Sequence, residues 1–295
     1  DEVRTLSLEL NEQIASARAA EIAQMLQKLH WQMEMIALRD DIRAADRSRM
    51  MELVSSLEGR ISREVVGMFF AWPDGYYESS ARASGNIADR DYFREVIFGG
   101  KDSLISNPVI SRSLNKHIIV MTLAVKDRAG NTNGLVAFQF LLESLSALIS
   151  QVQVGDEGYA WIAASDGTII AHPRAEAVMA VNITDSDKNG TRGFDALGRQ
   201  ALSSPRGSGG YRDLDGRNMT VFHVAIPDTP GWVLGVTIPD TQIDRTAREL
   251  GVVMSFIAFI AILMALLVSI LIARSVARPV SVMVKGLGIL SEGDL

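Results

Sequence analysis

The chain has 295 residues, of which 47% are hydrophobic and 22% are charged, a composition typical of a folded protein rather than a disordered segment. Its net charge of −6 and its lack of a basic stripe argue against a nucleic-acid partner, because acidic surfaces repel phosphate backbones. The absence of cysteine excludes disulfides, thiolate zinc sites and cysteine nucleophiles. The first residues, Asp1-Glu2-Val3, include neither an initiator Met nor a signal peptide, so we expect a part of a longer protein.

The N-terminal segment has a long helical pattern. Between Thr5 and about Ala45 there is no Gly or Pro, and apolar residues recur at steps of three to five. This pattern predicts one helix of up to about forty residues, followed by a second helix that Asp46 could cap. So long a helix could bury a second stripe against a twin, so a homodimer and a helix packed only within its own domain both stay open.

Strand patterns begin at Val65. The segment Val65–Trp72 is rich in β-branched and aromatic residues, Pro73-Asp74-Gly75 is a turn signal, and Tyr76–Ser80 is the predicted returning strand. Further strands are predicted at Leu104–Ser106, His117–Lys126 and Gly134–Leu141, and a helix is predicted over Glu143–Val152.

A second region repeats this plan. Tyr159–Ala164, Asp166-Gly167 and Thr168–His172 again have the order strand, tight turn and strand. Another hairpin is expected at Tyr211–Gly216, and Gly231–Thr237 resembles Gly134–Gln139. An internal duplication with a period of roughly 90–100 residues explains the pattern. The predicted fold class is therefore α+β, with a long N-terminal helix and two tandem antiparallel-sheet modules.

The run Gly251–Ala273 contains no charged residue. At ~1.5 Å per residue it would span roughly 34 Å, enough to cross a hydrocarbon core of about 30 Å, which predicts a transmembrane helix. A buried core helix is the alternative. Basic residues on both sides of the run give only a weak orientation signal. The run therefore places residues 1–250 and 274–295 on opposite sides of a membrane.

Short motifs in residues 1–250 resemble the double Cache sensor domains of bacterial transmembrane receptors. They are Asp89-Arg90-Asp91-Tyr92-Phe93, Ile105-Ser106-Asn107-Pro108, Gly158-Tyr159 with Asp166-Gly167, His172-Pro173, and Thr229-Pro230-Gly231-Trp232. Arg278-Pro279, the apolar seam Val280, Met283, Leu287 and Leu290, and Glu292-Gly293-Asp294-Leu295 resemble the start of a HAMP relay.

The resemblance implies two PAS-like modules in series. It also implies that residues 1–250 are extracytoplasmic and 274–295 cytoplasmic, at a bacterial inner membrane. The expected divisions are 1–62 for the N-terminal helices, 63–152 for the membrane-distal module, 153–240 for the membrane-proximal module, 241–273 for the linking and transmembrane helix, and 274–295 for the start of HAMP.

In this family the membrane-distal module usually binds a small molecule, so the resemblance implies a pocket in residues 68–140. Arg90, Tyr92 and Phe93 match positions that hold a ligand carboxylate. Gln139 stands where amino-acid-binding members have an aspartate, and Val109 replaces a tyrosine. Because Gln has no charge to hold an ammonium group, a small anion such as a carboxylate is favoured over an α-amino acid.

Five further residues are candidate ligand contacts: Asp91, Trp72, Tyr77, Ser111 and Arg112. Each candidate has a structural alternative, since Arg90 and Asp91 could pair with neighbours to fix a loop, and the aromatic residues could belong to the core or to sheet packing.

Other motifs do not add a catalytic or metal site. Asp185-Ser-Asp187-Lys-Asn189-Gly190 reproduces half of a calcium loop, but Ala196 stands where a bidentate Glu is needed, which favours an Asx-rich turn. Gly207-Ser-Gly-Gly210 is interpreted as a flexible loop. The four His residues are scattered and no Ser lies in a nucleophile elbow, so we expect no cofactor, no metal and no enzyme activity before residue 295.

The predicted function is therefore signal transduction: a receptor fragment that binds a small molecule and passes the signal through its membrane helix and HAMP to cytoplasmic signalling proteins. A chemotaxis output is favoured. Alternatives are the sensor of a histidine kinase or of a diguanylate cyclase or phosphodiesterase, a membrane-anchored enzyme, and a membrane-anchored scaffold that binds no small ligand.

Overall fold

The computed structural model describes residues 2–272, apart from residues 58, 113, 153, 155 and 156. The segment 274–295, for which HAMP was predicted, lies outside the described residues. The described residues divide into two compact units. One unit is Leu8–Gln242, and the second takes in the described residues before Leu8 and after Gln242.

Three helices precede the first sheet: α1 (Glu2–Ala37), α2 (Asp40–Arg43) and α3 (Met50–Ser56). The long N-terminal helix is confirmed, but it ends at Ala37 because Arg39 adopts an extended backbone, with φ −65° and ψ 134°. Asp46 does not cap α3, whose N-cap is Arg49. The Asp46 carboxylate instead accepts hydrogen bonds from the backbone N–H and the hydroxyl of Ser48. The predicted cap is therefore wrong, and the segment is a turn.

The first sheet is antiparallel throughout, in the order β3-β2-β1-β7-β6-β4, with β5 also paired to β6. Its elements are β1 (Gly67–Ala71), β2 (Tyr76–Ser79), β3 (Ser84–Asn86), α4 (Asp91–Ile97), β4 (Ser103–Ile105), β5 (Val109–Ile110), β6 (His117–Lys126) and β7 (Thr132–Leu141), followed by α5 (Leu142–Ser150). The sequence patterns missed β3, β5 and α4, which have only two to seven residues each.

The second sheet is also antiparallel, in the order β10-β11-β12-β8-β9. Its elements are β8 (Tyr159–Ala163), β9 (Ile169–Ala171), α6 (Phe194–Ser203), β10 (Arg206–Arg212), β11 (Asn218–Ala225) and β12 (Val233–Pro239). The predicted loop at Gly207–Gly210 is wrong, because these glycines belong to β10 and pair with β11. Gly209 lies close to α6, since a Cβ there would be 2.1 Å from the end of the Leu197 side chain, which would have to move.

The two sheets share one plan, as the predicted duplication requires. The order β2-β1-β7-β6 in the first sheet corresponds to β9-β8-β12-β11 in the second. The tight turns also match: Asp74 accepts the amide of Asn86 on its carbonyl at 3.2 Å, and Asp166 accepts that of Asn182 at 2.9 Å. Each aspartate also accepts a backbone N–H two residues on.

Both faces of the first sheet are buried. On one face, Phe69, Tyr77, Val120 and other apolar side chains form a core with α4. On the other face, α3 packs against β1 and β2, and residues of β6 and β7 meet α1 around Leu26. Candidate site residues on neighbouring positions of one strand can therefore lie on opposite sides of the sheet.

The last helix, α7 (Asp240–Ile272), follows β12 without a break, as predicted. Its first turn is tied to the second sheet, because the side chain of Gln242 accepts the Glu157 backbone N–H and donates to the Val154 carbonyl. The large apolar side chains described between Phe256 and Leu271 are all exposed. Within the residues that the structure describes, no helix combines the length and the apolar character that crossing a membrane requires.

Candidate ligand-binding site

A narrow cleft lies between the α4 face of the first sheet and the segment 109–112, called the closing segment below. Its walls are formed by β1, β2, β7, the start of α4 and the closing segment, through Phe69, Tyr77, Ile87, Arg90, Tyr92, Val109, Ile110, Ser111, Arg112, Ile118 and Gln139. Its volume is about 20 Å³. A space of that size holds about one water molecule, so the cleft is closed in this conformation.

Two tyrosines form the aromatic part of the cleft. Tyr77 lies on β2 and packs against Phe69, with ring centroids 5.4 Å apart. Its ring covers Gly85 on the neighbouring strand, where a Cβ would lie only 3.0 Å from the ring. Tyr92 comes from α4, and burial raises its pKa to about 12. Its hydroxyl therefore stays protonated at neutral pH and can donate a hydrogen bond.

Two arginines hold the closing segment against the beginning of α4. Arg90 donates to the carbonyl of Ile110 at 3.0 Å. Arg112 donates to the Asn86 carbonyl and to the Asp89 carboxylate, the latter at 2.5 Å. The bond from Arg112 holds the pKa of Asp89 below its usual range. The loop-fixing alternative for Arg90 thus describes this closed conformation.

Two neutral polar side chains, Gln139 and Ser111, also line the cleft. Gln139 on β7 lies beside Gly67 of β1, where a Cβ would approach its side-chain oxygen to 2.8 Å. Ser111 is buried, and its hydroxyl accepts the Leu114 backbone N–H at 3.2 Å. Among the described residues that line the cleft, the charged groups are two guanidinium groups and no carboxylate. The lining thus carries two positive charges, one of which is paired with Asp89 outside the lining.

Three of the nine candidate residues do not line the cleft. Trp72 follows β1 on the opposite side of the sheet, where its indole N–H donates to the Ala45 carbonyl at 2.8 Å. Phe93 is fully buried in the core behind the cleft. Asp91 is exposed at the first position of α4. The structure brings the other six together: Tyr77, Arg90, Tyr92, Ser111, Arg112 and Gln139.

Sequence reasoning missed most of the apolar lining. Ile87, Ile110 and Ile118 all contact the cleft. Ile118 could have been recognised from strand alternation, because it shares a face with Val120. Ile110 carries no such signal, since its contribution includes a backbone carbonyl in a two-residue strand.

The acidic segment near Gly190 forms a turn through its own carboxylates. Asp187 accepts hydrogen bonds from the Thr191 hydroxyl and from the backbone N–H groups of Gly193 and Phe194. Asp185 pairs with Lys188 at 2.8 Å. Over the described part of the chain, no three acidic or histidine side chains gather as a metal site.

A family comparison agrees with this architecture. The family model for the Cache domain, dCache_1, matches residues 1–247. The chain belongs to the Cache domain family. The methyl-accepting chemotaxis protein McpA of Bacillus subtilis (strain 168) is 24% identical over 248 residues, which are 84% of this Cache-domain chain and 34% of McpA. The chain thus spans about a third of the length of this relative.

Solved structures share the Cache fold at low identity. The ligand-binding domain of the Pseudomonas fluorescens chemoreceptor CtaA, in complex with L-isoleucine, has a TM-score of 0.66 and 18% identity, covering 83% of this chain and 97% of that domain. The extracellular domain of a protein described as a histidine kinase, mmHK1S-Z3, has a TM-score of 0.68 and 14% identity, covering 83% and 98%. At these identities the likeness concerns the fold.

Proposed function

We propose that this Cache-domain chain is the sensor portion of a bacterial transmembrane signalling receptor, and that its cleft binds a small molecule bearing a carboxylate. The observation that carries the proposal is that Arg90, Arg112 and Tyr92 line one cleft whose described lining has no carboxylate. Guanidinium groups bind carboxylates through paired, charge-assisted hydrogen bonds, so this set favours an anion.

An α-amino acid fits the cleft less well. The chemoreceptor CtaA was solved with the amino acid L-isoleucine, which carries an ammonium group. Such a group needs a negatively charged partner to offset the cost of its desolvation. Gln139 offers only a neutral amide oxygen here. We therefore expect a simple carboxylate to bind more tightly than the corresponding α-amino acid.

Ligand entry requires the closing segment to separate from α4, because the cleft of about 20 Å³ is too small for an organic acid. Arg90 and Arg112 would then exchange the carbonyls of Ile110 and Asn86 for ligand oxygens. The ligand thereby binds the open and the closed arrangements with different affinities, which is the thermodynamic condition for a signal.

The membrane part of the proposal concerns α7. Its run Gly251–Ala273 has no charged residue, and its large apolar side chains from Phe256 to Leu271 are exposed. We propose that the sequence run Gly251–Ala273, whose last residue lies outside the described part of the chain, crosses the inner membrane. Residues 1–250 would then lie outside the cytoplasm and 274–295 inside, where a HAMP segment would begin. Chemotaxis is the favoured output, on the strength of McpA, with a histidine kinase or a cyclic-dinucleotide enzyme as alternatives.

A homodimer through α1 is part of the same proposal. Leu10, Trp31 and Met35 are large apolar residues of α1 that are more than half exposed. A second copy would bury such side chains. Light scattering of the purified chain in detergent gives the protomer number, and a strictly monomeric chain at micromolar concentration would refute this part.

The ligand proposal is tested by thermal shift and calorimetry on the whole chain in detergent micelles. The panel contains acetate, lactate, succinate, L-alanine, L-isoleucine and choline. We expect a carboxylate to raise the melting temperature, because a ligand that binds only the folded state stabilises it. Arg90→Ala should weaken that binding roughly 10- to 100-fold, the value of a charge-assisted hydrogen bond.

The matched control is Arg128→Ala, which removes the same charge from an exposed turn of the same sheet. Arg128 pairs with Asp40 at 3.3 Å, and both side chains are largely exposed, so little stability should be lost. This variant should bind like the unmodified chain. Equal affinity of the Arg90 variant and the control, or binding of choline alone, would refute the assignment.

Signalling through α7 is tested by Ala261→Glu in the receptor that contains this chain. A carboxylate at the centre of a membrane helix costs about 3 kcal/mol, so we expect loss of membrane insertion and of signalling. Carboxylate affinity should not change, because Ala261 is far along the chain from the cleft. A variant that still sediments with membranes and still signals would argue against a membrane-spanning α7.

A further inference from the structure

The second sheet has a larger cavity at the position that corresponds to the cleft of the first sheet. In the shared plan β8 corresponds to β1 and β12 to β7. Trp161 faces Gly235 across that pair just as Phe69 faces Ala137. The cavity lies over this face, beside α6, and has a volume of about 510 Å³. That volume falls within the range of ordinary small-molecule sites.

Four aromatic side chains and the ring of His172 line this space, called the aromatic cavity below. Trp161 and Phe194 meet edge to face with centroids 6.0 Å apart, and Phe194 lies 4.6 Å from Tyr211. Tyr159 contacts His172 edge to face at 5.2 Å. Such rings favour flat, π-rich ligands, which can stack on ring faces or meet ring edges.

The indole of Trp161 is fixed from two sides. A Cβ on Gly235 would lie 2.1 Å from the ring, so this strand position leaves room only for hydrogen. The indole N–H donates to the Thr237 hydroxyl at 2.9 Å. Because Trp161 is held in this way, this part of the cavity wall is preorganised. Ligand binding then costs the protein less conformational entropy.

Neutral polar groups supply the hydrogen-bonding points inside. His172 is 7% exposed, and its Nδ1 accepts the Arg174 backbone N–H at 2.9 Å. Burial lowers the pKa of His172 to about 4, so the ring is neutral and its proton is on Nε2. Within the described residues Nε2 has no hydrogen-bond partner. A ligand acceptor would satisfy it.

Charged groups line only the outer rim. Arg217 lies among three carboxylates, 3.6 Å from Glu157, 2.9 Å from Asp213 and 3.5 Å from Asp215. The one other basic residue in the described lining is Arg174, so carboxylates outnumber guanidinium groups. With three carboxylates and two guanidinium groups in its described lining, the cavity disfavours anions.

We infer that the second sheet carries a ligand site of its own, the aromatic cavity, which takes a small, planar, uncharged heteroaromatic molecule with a hydrogen-bond acceptor, of the nucleobase class. The ligand packs against the rings of Phe194, Tyr159 and Tyr211 and accepts a hydrogen bond from Nε2 of His172. This site differs chemically from the first cleft, because its described lining has more carboxylates than guanidinium groups, whereas that of the first cleft has two guanidinium groups and no carboxylate.

The site also lies next to the start of α7. Glu157 belongs to the rim, and its backbone N–H donates to the side chain of Gln242 at 3.0 Å. A ligand that shifts the rim therefore acts on the same turn that holds the first residues of α7. The chain can in this way respond to two different chemicals.

The test is calorimetry and thermal shift on the whole chain in detergent with adenine and uracil, against benzoate and choline as charged contrasts. We expect adenine or uracil to bind and to raise the melting temperature. Ala177→Leu fills the cavity from its wall and should weaken binding at least tenfold, whereas Ala177→Ser, at the same position without the added volume, should stay within about twofold.

A second variant tests the site independently in case Ala177→Leu does not fold. Phe194→Leu keeps an apolar side chain but removes a stacking face, and it should weaken binding about tenfold. Carboxylate binding at the first cleft should be the same in all three variants, which separates failure of this site from failure of the first. The proposal is overturned if neither heteroaromatic binds, if only benzoate or choline binds, or if Ala177→Leu binds as tightly as Ala177→Ser.

Discussion

Replacing Gly235 by alanine should destabilise the second sheet through a single methyl group. The new Cβ would lie 2.1 Å from Cζ2 of Trp161, well inside van der Waals contact. The indole must therefore move by more than 1 Å, which strains or breaks its 2.9 Å hydrogen bond to Thr237. Overpacking costs about 1–3 kcal/mol, and a weakened buried hydrogen bond adds about 1 kcal/mol or more.

One favourable contribution reduces this loss. Alanine restricts the unfolded chain more than glycine does, which stabilises a strand position by roughly 0.5–1 kcal/mol. The net expected loss is about 2–3 kcal/mol. For a unit of this size that loss lowers the melting temperature by roughly 4–10 °C.

Gly210→Ala is the matched control, because Gly210 is also a strand residue of the second sheet but its nearest neighbour to a new Cβ is 3.8 Å away. It should be neutral or slightly stabilising. Thermal unfolding followed by circular dichroism measures both variants, and the near-ultraviolet signal reports the indole. Equal melting temperatures for the two variants would refute the close packing of Trp161 on Gly235.

Three further predictions follow from buried polar contacts. Burial lowers the pKa of His172 to about 4, so between pH 6.5 and 4 the unfolded chain binds a proton that the folded chain does not. The free energy of unfolding should fall by about 2 kcal/mol as the pH drops through that window, and by less in His172→Gln. A denaturation midpoint that does not change with pH would contradict this. Thr237→Val leaves the buried indole N–H of Trp161 without its acceptor and should cost about 1–3 kcal/mol in urea titrations; no loss would show that the hydroxyl is dispensable. Trp72→Phe removes the donor to the Ala45 carbonyl and should lower the free energy of unfolding by about 1–2 kcal/mol without changing carboxylate affinity. A large loss of affinity would show that Trp72 contributes to the ligand site.

The long regular elements could be predicted from the sequence because each carries its own signal. The strand His117–Lys126 has the predicted bounds, since its apolar run ends at a turn whose Gly130 has φ +88°. The repeated Asp-Gly turns likewise fix the two hairpins in which they lie. Local chemistry determines such features, so a single sequence is enough.

The positions of the site residues depend on contacts far apart in the chain. Both faces of β1 are buried, so the alternation of side chains alone cannot predict that Phe69 faces α4 and the cleft while Trp72 lies on the opposite face of the sheet. The closing segment is equally hidden, because it is held by Arg90 and Arg112 rather than by a regular strand pattern. Tertiary pairing also makes a strand of Gly207–Gly210, against the usual preference of glycine.

The bonds made by Gln242 have a practical consequence for hybrid receptors. Its side chain joins the first turn of α7 to the Val154 carbonyl and the Glu157 amide, and Asp240 accepts the hydroxyl of Thr220. An exchange of sensors spliced after Gln242 transfers both halves of this connection together. A splice at the end of β12 would separate them, and the foreign helix would begin without these hydrogen bonds.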